Sequence, residues 1–186
     1  MISLNNPVNV IQTTIRLVES NENSHIRLNA HGGNSIFMVC NPIQELEYIN
    51  AIHQLMGNDK FEIIDLSKVL CEFISENESV IIESFDILRG SINQIFKAPD
   101  GEESQDMFGL ILKEIKSSFS AKKIPVFINS GALYGSGIDN IHIMESEIVM
   151  KSSLPLIILY PATKEKDKLM FLSKRSASKY RCMIVE

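Results

Sequence analysis

Four short runs in this chain are almost wholly apolar: 35–40 (SIFMVC), 61–66 (FEIIDL), 124–129 (IPVFIN) and 154–160 (LPLIILY). A strand with no alternation of polar and apolar residues has no face to turn to water. Such strands belong in a sheet that is covered on both sides. The segments between them carry apolar residues at spacings of three and four, as helices do. Strands alternating with helices predict an α/β fold with a mainly parallel central sheet of about five strands and helices on both faces.

The helical stretches have legible starts and stops. Asn6-Pro7 reads as an N-cap with proline at the first helical position, followed by Val8, Ile11, Ile15 and Val18 on one stripe and a stop by Asn21-Glu22-Asn23. Residues 25–34 are polar, end in Gly32-Gly33 and read as a loop or weak strand. Asn41-Pro42 breaks the first strand. A helix over 44–56 then carries Leu46, Ile49, Ile52 and Met56 on one stripe and ends at Gly57-Asn58-Asp59. Asp65 closes the second strand and reads as the cap of a helix bearing Val69, Leu70 and Phe73. Residues 78–96 read as largely helical, with Ile81, Phe85, Leu88, Ile92 and Phe96 inward, up to a turn at Pro99-Asp100-Gly101. Helices are predicted over 104–119 and 140–151. Pro161 should close the fourth strand, 168–172 is ambiguous, and 180–185 reads as a final strand. The 186 residues fit one domain, with residues 1–24 a helix packed on it or appended to it.

Composition excludes several classes. With 45% hydrophobic residues the chain is not intrinsically disordered. None of the apolar runs approaches the roughly 20 residues of a membrane span, and Met1 to Asn6 shows no secretory leader. The three cysteines, Cys40, Cys71 and Cys182, have no CxxC spacing and sit among apolar residues. They read as buried free thiols of a protein kept in a reducing compartment. The net charge is −5, yet 164–186 holds seven Lys or Arg against three Asp or Glu. A chain so acidic elsewhere lacks the basic footprint for binding nucleic acid on its own, and the lysines read as a solvated loop between strands.

Few residues point to chemistry. The loop 131–137, with Gly131, Gly135 and Gly137, follows a strand and precedes a helix, where backbone amides can cradle an anion. Its G-x-x-x-G-x-G spacing has neither the lysine of a P-loop nor the order of a dinucleotide fingerprint. A small enzyme or phosphate-ligand binder built on this loop is the alternative reading. His142 lies near Asp139 and Glu145, but isolated groups in one polar turn are commonly solvated. Ser130 is not in a nucleophile elbow. Neither a catalytic set, a metal site nor a cofactor site is legible.

Three blocks together resemble the BrxB family of bacterial BREX phage-defence systems, over residues 34–185. The first is Asn41-Pro42-x-x-Glu45-Leu46 between the first strand and its helix, with the strand that ends Asp65-Leu66. The second is Ile128-Asn129-Ser130-Gly131-Ala132-Leu133-Tyr134. The third, the most specific, is Pro155 to Pro161 with Tyr160-Pro161, then Leu169-x-Phe171, then Tyr180-Arg181. The family usually follows its aromatic turn with proline and arginine, where this chain has Gly135-Ser136-Gly137-Ile138. It commonly has Tyr-Pro-Gly, where this chain has Tyr160-Pro161-Ala162. The resemblance implies a cytoplasmic, non-enzymatic subunit that binds the PglZ-like protein and other defence-complex subunits. The strand-helix order is itself similar to a P-loop or Rossmann-like core without a Walker motif. Strand ends in such a sheet gather at one edge, where Asn41-Pro42, residues 130–137 and Tyr160-Pro161 are expected; Tyr134, Gly131, Tyr160 and Pro161 from that edge, with Arg181 from the third block, are the residues expected to meet a partner, with Tyr134 and Tyr160 as its anchors.

Overall fold

The computed structural model describes residues 5–20, 23–99, 105–165, 168–176 and 181–186. Met1, Asn21, Glu22, Asp100, Gly101, Ser104 and Tyr180, each used above, lie outside the described residues. Helices α1 (Pro7–Glu19) and α2 (Asn23–Asn29) precede β1 (Ser35–Cys40), α3 (Glu45–Leu55) and β2 (Phe61–Asp65). Then come α4 (Leu66–Glu76), α5 (Glu78–Ile87), α6 (Met107–Ser120), β3 (Ile124–Ile128), α7 (Asn140–Met144) and α8 (Glu147–Lys151). The chain ends with β4 (Leu156–Glu165), β5 (Lys168–Phe171), β6 (Arg175–Ser176) and β7 (Met183–Val185). The predicted α/β fold is the observed one.

Five strands run parallel in the order β2-β3-β4-β1-β7. From β1 the chain moves three positions, past β4 and β3, to β2, then returns one strand at a time through β3 to β4, and finally passes β1 to reach β7. Right-handed crossovers in opposite directions place their helices on opposite faces. The core divides in that way. Tyr48 and Ile52 of α3 and Val10 and Ile11 of α1 pack with Ile36, Met38, Val126, Ile157 and Leu159. Phe73 of α4, Ile111 and Ile115 of α6, Ile143 and Val149 pack with Phe37, Phe127, Ile158 and Tyr160 on the other face. Neighbouring residues of each central strand therefore serve different cores, which is why these strands show no alternation.

Several local expectations are corrected. Residues 23–29 form α2, anchored by Ile26 in the core and by Arg27, which donates to the carbonyls of Met150 and Ser152 at 3.0 and 2.8 Å. The helix expected over 78–96 stops at Ile87, with Leu88 as its C-cap, and only a 3-10 turn, Ile92–Ile95, follows. Phe85, expected inward, is exposed. The helix expected over 140–151 is split, with Ser146 capping α8. Cys71 is exposed, since the inward stripe of α4 runs through Leu66 and Phe73 and misses it. Pro161 does not end β4. It sits where β4 leaves β1 and begins an antiparallel hairpin with β5. A proline is tolerated where the hydrogen-bonding partner changes, since its missing N–H interrupts no continuous ladder.

Among the described residues no helix is long and apolar enough to cross a membrane.

Candidate functional site

The carboxyl ends of β1, β2, β3 and β4 lie along one edge of the sheet. The crossovers that leave β1 and β4, which are neighbours, run in opposite directions. In open α/β sheets the crevice at such a reversal is where ligands bind. Here the turn after β1 is filled by the protein itself. Asn41 accepts from the Ile43 amide at 3.2 Å, and Pro42, which has no N–H to offer, opens a 3-10 turn that leads into α3. Glu45 and Glu47 occupy the first turn of α3. Burial pushes the Glu45 carboxyl above its ordinary range, and its Oε1 has no hydrogen-bond partner. Burial, then the Glu45 charge, pushes the Cys40 thiol up to about 12. Burial, then Cys40 and Glu47, pushes the Tyr48 phenol up to about 12. This corner is apolar and acidic, a poor environment for a phosphate.

The glycine loop is equally self-satisfied. Asn129 adopts the left-handed conformation and donates through Nδ2 to Asp65 Oδ1 at 2.9 Å. Asp65 also accepts from the Ser67 and Lys68 amides, so it is the α4 cap that the sequence indicated. Residues Ser130–Leu133 then form a 3-10 turn. The amides of Ala132, Tyr134 and Ser136 donate to the carbonyls of Asn129, Gly131 and Leu133. The Ile138 amide donates to Ser136 Oγ, whose hydroxyl donates to the Leu133 carbonyl. An anion cradle needs amides that point outward with no partner, and these four are engaged within the loop. Gly137 has φ +78 and packs against Asn93, so a side chain there would be both strained and crowded. The loop is a braced turn, and it holds Tyr134 at its tip, 58% exposed.

The hairpin that continues β4 clamps this turn from the side. Tyr160 stacks between Phe37 (ring centroids 4.2 Å, interplanar angle 7°) and Phe171 (4.8 Å, 26°). Leu172 donates its amide to the Pro161 carbonyl at 2.8 Å and lies over Gly131. Arg175 forms a two-pronged ion pair with Asp139 at 2.6 and 3.0 Å, a geometry that fixes orientation as well as charge. A shallow cleft results, lined by Tyr134, Ile138, Asn140, Phe171 and Arg175 among others. Asn140 is buried there, and its Oδ1 has no partner.

The five residues expected to meet a partner therefore part company. Tyr134 stands at the edge with Gly131 beneath it. Tyr160 and Pro161 are buried, so Tyr160 is corrected from surface anchor to core residue. Its ring completes an aromatic stack that the sequence could not show. Arg181 is exposed, but it precedes β7 and packs its backbone against Gly33, just before β1. That is the amino edge of the sheet, where its partner is Glu145 at 4.0 Å. Arg181 therefore lies at the opposite end of the parallel strands from Tyr134.

Sequence reasoning missed the Arg175–Asp139 pair, whose members are 36 residues apart, and the exposed Ile43 and Leu46 beside the β1 turn. Leu46 falls by spacing on the stripe expected to face inward but is exposed, and Asn41-Pro42 is the sequence signal for that turn. His142 Nδ1 accepts from the Asp139 amide at 3.1 Å, which makes it part of a helix start. Among the described residues no group of three or more His, Cys, Asp or Glu gathers to hold a metal ion. Ser130 is buried and donates to the Leu159 carbonyl at 2.8 Å, so its hydroxyl serves the sheet. Lys164 pairs with Glu186 at 3.0 Å. Comparison with protein-family models, with curated proteins and with solved structures finds no match to this chain.

Proposed function

We propose that this chain is a non-enzymatic binding subunit of a BREX-type antiphage defence complex, and that it docks on the PglZ-like component through the carboxyl edge of its sheet. The observation that carries the reading is Tyr134, an aromatic side chain more than half exposed at the tip of a turn braced by its own hydrogen bonds. A tyrosine held in this way offers a large contact area with little conformational entropy left to lose on binding. The exposed Ile43 and Leu46 extend the apolar character of the same edge. The resemblance of the Ile128 to Tyr134 block to the BrxB family supports the choice of partner.

Co-expression with the PglZ-like protein from the same locus is the test. The two should co-purify through size exclusion at moderate salt, and separate elution of two folded proteins would contradict the proposal. The competing phosphate-ligand reading is tested by calorimetry with MgATP. Four engaged amides in the glycine loop and an acidic turn after β1 predict no heat of binding at micromolar concentrations.

A further inference from the structure

We infer, on the reading that the Tyr134 edge is the docking surface, that the cleft beside Tyr134 is a pocket for one uncharged carbonyl group of the partner, and that the side-chain amide of Asn140 is the donor that recognises it. Asn140 is 5% exposed, and neither end of its amide makes a hydrogen bond among the described residues. A buried primary amide with no partner carries a desolvation cost that nothing in the fold offsets. Native proteins leave such groups in few places, and a binding site is one of them. Asn140 lines the cleft together with Tyr134, Ile138, Phe171, Arg175 and Ser176. Its Oδ1 is sealed off, so Nδ2 is the end of the amide left open to the cleft.

Space, charge and donor chemistry identify the occupant. The free volume of the cleft is about 20 Å³, room for one water-sized group. That is too small for a nucleotide or a sugar, and it suits a single polar tip of a docked protein. Arg175 and Asp139 neutralise each other through bonds of 2.6 and 3.0 Å. An ionic group would therefore lose its hydration there without gaining a counter-ion. Ile138 and Phe171, both buried in the core, make the walls apolar. The open atom, Nδ2, has two N–H groups to donate and accepts nothing. A neutral carbonyl oxygen meets all three conditions. The Tyr134 ring supplies contact area, and the amide supplies selection, because a partner that covers Nδ2 without matching it is penalised.

The probe is the purified PglZ-like protein, titrated calorimetrically into wild type, Tyr134→Ala, Asn140→Ala and Asn140→Asp, with melting curves on the same samples. Asn140→Ala removes the amide and adds no bulk, and should weaken Kd at least about 10-fold. Its melting temperature should stay within about 3 °C of wild type, because the free protein loses no hydrogen bond. Asn140→Asp keeps the shape but offers only acceptors, so it should weaken binding at least as much. Exposed Asn and Gln residues of the PglZ-like protein are then changed to Ala in turn. One that weakens binding to wild type about 10-fold, and to Asn140→Ala no further, identifies a side-chain carbonyl, and none identifies a backbone one. Affinity kept by Asn140→Ala but lost by Tyr134→Ala would show that the cleft holds only solvent, and would overturn this proposal alone. Asn140→Asp that binds as tightly as wild type would make the occupant a donor and overturn it as well. No binding by wild type would overturn the Tyr134 reading and this one with it.

Discussion

The ring of Tyr160 lies face to face with that of Phe37, 4.2 Å away and 7° from parallel. The two belong to adjacent parallel strands, and Phe171 covers the other side of Tyr160 from the hairpin that β4 itself continues into. The stack ties the parallel sheet to the antiparallel extension that braces the Tyr134 turn. Tyr160→Ala should therefore act as a core truncation. The expected loss is about 3–5 kcal/mol, as for other large buried aromatic residues, or roughly 10 °C in melting temperature at this chain length. Thermal denaturation checks it, and an unchanged midpoint would mean that Tyr160 is not in the core.

Gly33 tests how β7 is held. A Cβ built there would lie 1.9 Å from the Arg181 carbonyl oxygen, a contact with backbone that no rotamer change relieves. Gly33→Ala should destabilise the fold by more than about 2 kcal/mol, through forced separation of the segments before β1 and β7. Gly90→Ala, where the added methyl meets open space, is the control and should stay within about 0.5 kcal/mol of wild type.

Thiol labelling distinguishes the three cysteines. Cys40 and Cys182 are buried and their thiols are pushed up to about 12, chiefly by burial, whereas Cys71 is exposed on α4. The thiolate is the reactive form. Ellman's reagent at pH 8 should modify one thiol quickly and the other two only after denaturant is added. Cys71→Ser should abolish the fast phase. A fast phase that survives would place another cysteine at the surface.

The Glu45 carboxyl gives stability a pH dependence. Its folded value is raised by burial, so ionising it costs more in the folded state than in the unfolded chain. That cost is absent below about pH 4, the range in which an unfolded glutamate titrates. It grows as pH rises through the raised folded value, so the contribution to stability falls in that direction. Glu45→Gln should melt higher than wild type at pH 7, with the two curves converging towards pH 4. A variant that melts lower at pH 7 would show that the charge has a favourable partner.

The sheet and its two covered faces were legible because both faces of Ile157-Ile158 and Ile36-Phe37 are buried, and such strands admit no alternation. The same logic failed at Pro161 and Tyr160. A strand that changes from parallel to antiparallel partners looks in sequence like a strand that stops, and an interior tyrosine looks like an anchor. It failed differently at Phe85, which has the right spacing for a core stripe but lies on a helix that stands off the core. Arg181, expected beside a partner only through the Tyr180-Arg181 block, is set apart from Tyr134 by its place in the chain. A residue that precedes a parallel strand lies at the other edge. The Arg175–Asp139 clamp depends on the hairpin turning back over α7, which no local pattern announces.

The proposed role of Tyr134 as an anchor for the PglZ-like partner is measured most directly by the affinity of the purified pair. Kd should be determined by biolayer interferometry with immobilised PglZ-like protein, for wild type and for Tyr134→Ala, with melting curves recorded on the same samples. The expected result is a loss of at least about 2 kcal/mol, the scale of an interface hot spot, or roughly 30-fold in Kd. Tyr134 is more than half exposed and belongs to neither core, so the melting temperature should move by less than about 2 °C. A folded Tyr134→Ala protein that binds the partner as tightly as wild type would contradict the claim.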